Sequence, residues 1–297
     1  MTADLFLPFH LETAGARGRL VRLGPALDTI LSAHDYPRPV AMLLAEALAL
    51  CGALASSLKF DGVVTLQASG HGAVRTLVAD ITTDGALRGY AAFDEAAVAL
   101  LDPGKAEGTP VSALLEHGHL AFTVDQGSDA KRFQGIVELE GTTLAECLHA
   151  YFRQSEQVDT AFRVALAPPA GDRGWQSGVL SLQRLPGDGN GSAEETPEEA
   201  WRTAVVLMSS VTDRELLELP PEQTAHRLFH EAGLRLHDPR GLFARCRCAR
   251  EGVESALKSF GREELSDMVE PDGRIHVTCQ FCNTEYLFHP DEVEAPE

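Results

Sequence analysis

The chain is short of positive charge. Its 297 residues carry 25 Lys and Arg against 44 Asp and Glu, a formal net charge of −19. Counterion release cannot draw such a chain onto a phosphate backbone, so nucleic-acid binding would need a local basic patch. Signatures of common enzyme chemistry are also lacking. Asp102-Pro-Gly-Lys105 has part of a phosphate loop but not its full glycine, lysine and hydroxyl spacing. His226 and His230 are four apart on an expected helix, yet His-Arg-Leu-Phe-His lacks the glutamate of a zincin motif. The pair reads as a solvated helix face. No Ser/His/Asp set or carboxylate pair emerges, so no enzymatic activity and no ATP hydrolysis are expected. The N-terminal residues carry no basic stretch followed by an apolar run. No secretory signal is therefore expected, and the chain reads as cytoplasmic. Long apolar runs are confined to Val40–Leu58, which Glu46, Gly52, Ser56 and Ser57 interrupt. That run reads as a buried core helix rather than a membrane span.

Hydrophobic content of 44% is ordinary for a globular protein, and the length suggests roughly two domains. Residues 1–185 read as an α+β core. Strand-like runs at Gly18–Leu23, Gly62–Ala68, Ala73–Ile81, Ala86–Ala91, Leu120–Asp125, Arg132–Leu139, Val164–Ala167 and Gly178–Gln183 are bounded by Gly, Asp or Ser. Helices are expected at Pro37–Leu58 and Thr143–Gln154, the second capped by Thr142 or Thr143. This order fits antiparallel hairpins packed with helices and not a regular βαβ alternation. The two glycines of Ser69-Gly-His-Gly72 mark a turn.

Residues 186–238 read as a linker. It opens with a Gly- and acid-rich connector at 186–195. Thr196-Pro-Glu-Glu199 then starts a helix whose apolar stripe is Trp201, Ala204, Val205, Met208 and Val211. A second helix is expected at Pro221–Ala232, anchored by Leu228 and Phe229 and stopped by Gly233. Short amphipathic helices need a partner surface, so this segment is expected to be only conditionally folded. Residues 239–290 read as a small domain and 291–297 as an acidic tail. The small domain should contain a strand at Gly241–Arg245, helices at Glu251–Phe260 and Glu263–Val269, a turn at Pro271–Gly273, and a hairpin of Arg274–Thr278 with Asn283–Phe288.

Four of the six cysteines lie in that domain, as Cys246-Arg-Cys248 and Cys279-Gln-Phe-Cys282. Four thiolates match a closed tetrahedral zinc site, with no open position for a hydrolytic water. A domain this small lacks the core to be safely stable alone, so the metal would supply folding energy. The same thiols form two close pairs able to become disulfides. A bridge across one intervening residue is strained and therefore easily reversed, which suits a sensor. Arg245, Arg247, Arg250, Lys258 and Arg262 nearby read as counter-charge for a dianionic zinc–tetrathiolate. Cys51 and Cys147 lie in apolar helices and read as small buried hydrophobes. Taken alone, these residues leave three functions open: a redox switch, a static zinc adaptor for a partner protein, or a thiol–disulfide exchange centre at Cys279–Cys282.

The C-x-C, thirty-residue, C-x-x-C order resembles the redox-regulated holdase chaperones, the thirty-three-kilodalton heat-shock family. Further similar stretches are Gly18–Leu23, His34–Pro37, Leu58–Gly62, Phe133–Val137, Tyr151–Gln157, Glu215–Leu217 and Arg227–Glu231. Arg247 departs from the small residue more usual inside the C-x-C. The resemblance implies an ATP-independent chaperone that holds one Zn2+ on Cys246, Cys248, Cys279 and Cys282 when reduced. It further implies that oxidation forms Cys246–Cys248 and Cys279–Cys282 disulfides, releases the metal and unfolds the small domain and linker. The exposed surface would bind unfolding client proteins under oxidative stress, and oxidised chains would form homodimers through the N-terminal core. Neither nucleic acid nor membrane is an implied partner.

Overall fold

The computed structural model describes residues 4–55, 62–101, 110–126, 132–185 and 196–293. Asp102–Lys105, the 186–195 connector, residues 58–61 of the similar stretch and residues 294–297 of the acidic tail lie outside them. The chain divides into two compact units, Met1–Ala244 and Arg245–Glu297.

The first unit begins with β1 (Leu5–Leu11), β2 (Ala16–Leu23), α1 (Pro25–Leu31), α2 (Arg38–Ala55), β3 (Val63–Gly70), β4 (Val74–Thr82) and β5 (Ala86–Phe93). It continues through α3 (Glu95–Ala99), α4 (Val111–Leu114), β6 (Gly118–Asp125), β7 (Phe133–Glu138), α5 (Leu144–Tyr151), β8 (Thr160–Ala167) and β9 (Gln176–Arg184). Three helices follow, α6 (Pro197–Ser209), α7 (Asp213–Glu218) and α8 (Pro221–Phe229), then the short strands β10 (Leu234–Leu236), β11 (Arg240–Gly241) and β12 (Phe243–Ala244). One sheet has the order β10-β1-β2-β9-β8 with β11 also on β1, and the other runs β12-β5-β4-β3-β6-β7. Pairing is antiparallel throughout except for β12 on β5. The α+β class and its hairpin character are as the sequence indicates.

Helix α2 lies between the two sheets. Its residues share one core with Val21 and Val179 of the first sheet and Val64, Leu66 and Leu77 of the second. A helix covered on both sides is apolar all round, which is why the run lacks an amphipathic stripe. Among the described residues it is the one helix long and apolar enough to cross a membrane, and 83% of that span is buried inside the protein. Its Cys51, and Cys147 of α5, are fully buried, as expected of small hydrophobes. Burial pushes both thiol pKa values up, away from reactivity.

The opposite face of the first sheet is covered by α6, α7 and α8. Leu7, Phe9, Leu20, Leu180 and Leu182 from the strands meet Trp201, Ala204, Met208, Leu216 and Phe229 from the helices. Local sequence explains the helix starts. Thr196 and Thr212 each accept from the amide three residues on, while Glu199 and Glu215 reach back to the cap. Helix α7, which the sequence pattern did not reveal, is too short to show a period and is stopped by Pro220. Gly233, at φ +69°, turns the chain after α8.

One strand was not expected and one expected strand differs. Strand β1 was not foreseen, because Pro8 and His10 break up the apolar residues of Leu5–Leu11 and its pairing partners are other strands on both sides. The expected strand Gly241–Arg245 is split at Leu242. Arg240–Gly241 pairs with β1, and Phe243–Ala244 crosses to β5 of the other sheet. The crossing passes over Gly85, at φ +93°, where a Cβ would fall 2.5 Å from Gly241 O. The expected helix over Thr143–Gln154 is α-helical to Tyr151, then π-helical over Phe152–Glu156. Thr143 is its cap, accepting from Glu146 N at 3.2 Å.

The second unit holds α9 (Arg250–Leu257), α10 (Arg262–Asp267), the antiparallel hairpin β13 (Ile275–Thr278) with β14 (Glu285–Phe288), and α11 (Pro290–Val293). Its buried core is Leu257, Leu265, Ile275, Phe288 and Val293. The expected turn at Pro271–Gly273 is present, with Gly273 at φ +80°. Among the described residues, five buried side chains are little to hold such a unit.

Candidate metal centre

Cys246 and Cys248 lie on the extended segment before α9. Cys279 and Cys282 lie on the knuckle joining β13 to β14. The knuckle is shaped by its own backbone: Cys279 N donates to Thr284 O at 2.9 Å, and Asn283 N donates to Cys279 O at 2.8 Å. Asn283 sits at φ +58°, a left-handed conformation that asparagine tolerates. The four Sγ atoms all lie within 4.8 Å of one another, and every cysteine is half-buried. Cys246 Sγ is 3.7 Å from Cys279 Sγ, and Cys248 Sγ is 3.4 Å from Cys282 Sγ.

This donor set can hold a metal ion. A tetrahedron with metal–sulfur distances of about 2.3 Å has sulfur–sulfur edges of about 3.8 Å. The observed separations fit that figure with small adjustments, and four soft sulfurs suit a borderline-soft divalent ion.

Two supporting residues were not evident from spacing. Tyr286 Oη donates to Cys248 Sγ at 3.2 Å, and Thr284 Oγ1 lies 3.2 Å from Cys282 Sγ. Their positions two and four residues after Cys282 are the only sequence signal, and they become meaningful once the hairpin register is known. The environment separates the thiols. Burial raises the Cys248 pKa to about 12, with neighbouring sulfurs adding to the rise. Burial also raises that of Cys279. At Cys282 burial acts upward too, but hydrogen bonds from the Thr284 hydroxyl and backbone and from the other sulfurs bring the value down to about 7. Cys282 is therefore the first of these three to ionise when no ion is held.

A profile of the Hsp33 protein family matches residues 4–289. The chain belongs to the Hsp33 family. A 33 kDa chaperonin of Caulobacter vibrioides is 42% identical over 292 residues, covering 97% of this chain and 95% of that protein. One from Pseudomonas syringae is 39% identical, covering 98% and 92%. The crystal structure of the 33 kDa chaperonin of Thermotoga maritima superposes with a TM-score of 0.82 at 24% identity, covering 98% of this chain and 97% of that one. The last likeness speaks for the fold; the first two make this a chaperone family member by sequence. The Hsp33 family is the one indicated by the cysteine order and its flanking stretches.

Within this Hsp33 fold the other candidate residues are placed elsewhere. His226 and His230 stack at 5.5 Å on the exposed side of α8, and His230 Nδ1 meets His226 O at 3.1 Å. Among the described residues, the four cysteines are the group of three or more candidate donors close enough to share an ion. Of the basic cluster, Arg250 donates to Leu287 O and Glu292 and lies 4.2 Å over the Phe288 ring. Lys258 pairs with Glu254. The Arg250 contacts tie α9 to β14 and α11, a use that counter-charge alone did not suggest, while the Lys258 pair lies along α9 itself.

Proposed function

We propose that this protein is a redox-regulated, ATP-independent holdase. The reduced chain holds one zinc ion on Cys246, Cys248, Cys279 and Cys282. The observation that carries the reading is the convergence of four sulfurs within 4.8 Å in a unit that has five buried apolar side chains among its described residues. A unit so poor in core depends on the ion, so chemistry at the sulfurs controls its folding. Hypochlorous acid removes two electrons from each pair of thiolates, forming a disulfide and leaving chloride and hydroxide. By family analogy the pairs are Cys246–Cys248 and Cys279–Cys282. Sulfurs tied into disulfides no longer offer four thiolates, and the ion is lost with the fold of the unit.

The domains then have distinct roles. Residues 1–185 are the stable core and dimerisation domain, 186–238 the conditional linker, 239–290 the switch and 291–297 the tail, whose Val293 packs into the core of the switch. Unfolding that starts at the cysteines reaches β12 and β11 along the chain before α8, α7 and α6. Release of these helices uncovers the apolar face built by Leu7, Phe9, Leu20, Leu180 and Leu182. Contiguous apolar surface of this kind captures unfolding clients without nucleotide. Oxidised chains associate as homodimers, and the protein works in the cytoplasm.

The test is light scattering from a thermally unfolding client, with the chain added either reduced and zinc-loaded or oxidised with hypochlorous acid. Protection by the oxidised form alone, with one zinc released per chain, is the expected result. Equal protection by both forms, or zinc retained after oxidation, would rule the switch out.

A further inference from the structure

Arg19 of β2 stands level with Ser181 of β9, and Ser181 in turn with Phe162 of β8. One pair further along, Gln183 of β9 is level with Thr160 of β8. Residues opposite one another, and every second residue along a strand, share a face of the sheet. Val21 and Val179, two positions from Arg19 and Ser181, belong to the core shared with α2. Arg19, Thr160, Ser181 and Gln183 therefore face that core, a polar group set into the apolar layer between the two sheets.

These four residues line a cavity of about 80 Å³, whose other walls include Phe122, Phe152 and Phe162. Arg19 is 8% exposed. Its guanidinium has five N–H donors. Among the described residues it makes one hydrogen bond, from Nη2 to Gln183 Oε1 at 3.4 Å, and no carboxylate pairs with it. Burial, and then the nearby Arg17 charge, lower its pKa to about 10, so it stays cationic at neutral pH. Thr160 Oγ1 and Ser181 Oγ are also buried, and neither has a hydrogen-bond partner. A buried cation without a counter-charge and two buried hydroxyls without partners are each costly. One acceptor of negative charge in the cavity satisfies all three.

We propose that this cavity is a binding site for a small monovalent anion of the chloride type, held by the Arg19 guanidinium and by the hydroxyls of Thr160 and Ser181. Hydroxyl hydrogens rotate to suit an acceptor, and Gln183, whose oxygen accepts from Arg19, keeps its amide N–H groups to donate. The single positive charge sets the valence. A sulfate or phosphate dianion would leave an uncompensated charge among the phenylalanines. The volume sets the size. A water needs about 10–15 Å³ of such space, so the cavity admits one small ion with a few waters and no bulky organic anion. Binding to the folded state alone stabilises the first unit by mass action, whatever the state of the cysteines in the second.

The test melts the reduced, zinc-loaded full chain in sodium chloride and in sodium gluconate at equal ionic strength, the gluconate anion being too bulky for the cavity. Tryptophan fluorescence follows the first unit, since Trp175 and Trp201 both lie there. The melting temperature should rise with chloride and saturate, and it should not rise with gluconate. Arg19→Met should melt at the same temperature in both salts. Thr160→Ala and Ser181→Ala, which keep the charge, should each need at least about tenfold more chloride for the same rise, the loss of one hydrogen bond to an ion. Crystals of the parent grown in sodium bromide should show an anomalous peak in contact with Arg19, Thr160 and Ser181. Water alone in the cavity of those crystals, equal melting of the parent in the two salts, or a chloride response that survives Arg19→Met would each overturn the proposal. None of these results bears on oxidation-dependent protection of clients.

Discussion

The guanidinium of Arg22, on β2, donates to Leu216 O of α7 through Nε at 3.0 Å and Nη2 at 2.7 Å, and Nη2 also reaches Glu215 O at 3.4 Å. Arg22 is 3% exposed, and desolvation lowers its pKa to about 10, which leaves it charged at neutral pH. A buried cation on the sheet is thus satisfied by the carbonyls of a linker helix. Arg22→Met strips Leu216 O of both these bonds, while Glu215 O keeps Leu219 N at 3.2 Å, and we expect it to lower stability by about 1–3 kcal/mol. In the reduced, zinc-loaded protein, residues 196–229 should be cut faster by a protease than in the parent. Unchanged cutting would show that Arg22 does not hold α7 down.

Gly18 lets the Phe9 ring lie across β2. A Cβ at Gly18 would fall 1.9 Å from the ring, and Phe9 stacks on Phe229 of α8 at 5.6 Å. Gly18→Ala must displace Phe9 and with it the seat of α8. Overpacking of this kind costs about 1–3 kcal/mol. We expect binding of a hydrophobic dye by the reduced variant, which the reduced parent should not show. A variant as dye-silent as the parent would mean that the face stays covered without this stack.

Tyr286→Phe removes the hydroxyl that reaches Cys248 Sγ and leaves the ring in place. Loss of such an outer partner weakens metal affinity by about 10–100-fold. Competition with a chromophoric chelator should show earlier loss of zinc, followed by cooperative loss of the second unit's structure. Unaltered competition would assign Tyr286 to packing alone.

His276 sits between Asp272 and Glu285, with Nε2 3.0 Å from Asp272 and Nδ1 2.9 Å from Glu285. Hydrogen bonds to these carboxylates, Asp272 first, raise its pKa above the usual histidine value. A raised folded pKa means that the imidazolium's contribution is complete below the unfolded value, about 6.5, and fades as pH rises through the folded one. The melting temperature of the parent should therefore decline relative to His276→Gln as pH rises across that interval. Parallel curves for the two proteins would remove His276 from the pH response. The Asp272 carboxyl, held low chiefly by His276, contributes in the opposite sense, its share being lost in acid.

What was legible in the sequence was local. Each close pair of cysteines, the Thr196 capping box, the Gly233 and Gly273 turns and most strands follow from residues within a few positions of one another, while the meeting of the two cysteine pairs depends on the fold. The all-round apolar α2 could be read as a core helix because its composition alone excludes a solvent face. Tertiary structure decided what depends on distant partners. Strand β1 gains its meaning from β2 and from residues 234–241, and α7 from the Arg22 guanidinium more than 190 positions earlier. Tyr286 reaches Cys248 only because the hairpin register brings it there. Short-range spacing sets backbone conformation and places ligands, since neighbouring residues share dihedral and hydrogen-bond constraints. Contacts between remote segments arise from burial of the whole apolar surface, and no single stretch of sequence specifies which of its faces will be covered, or by what.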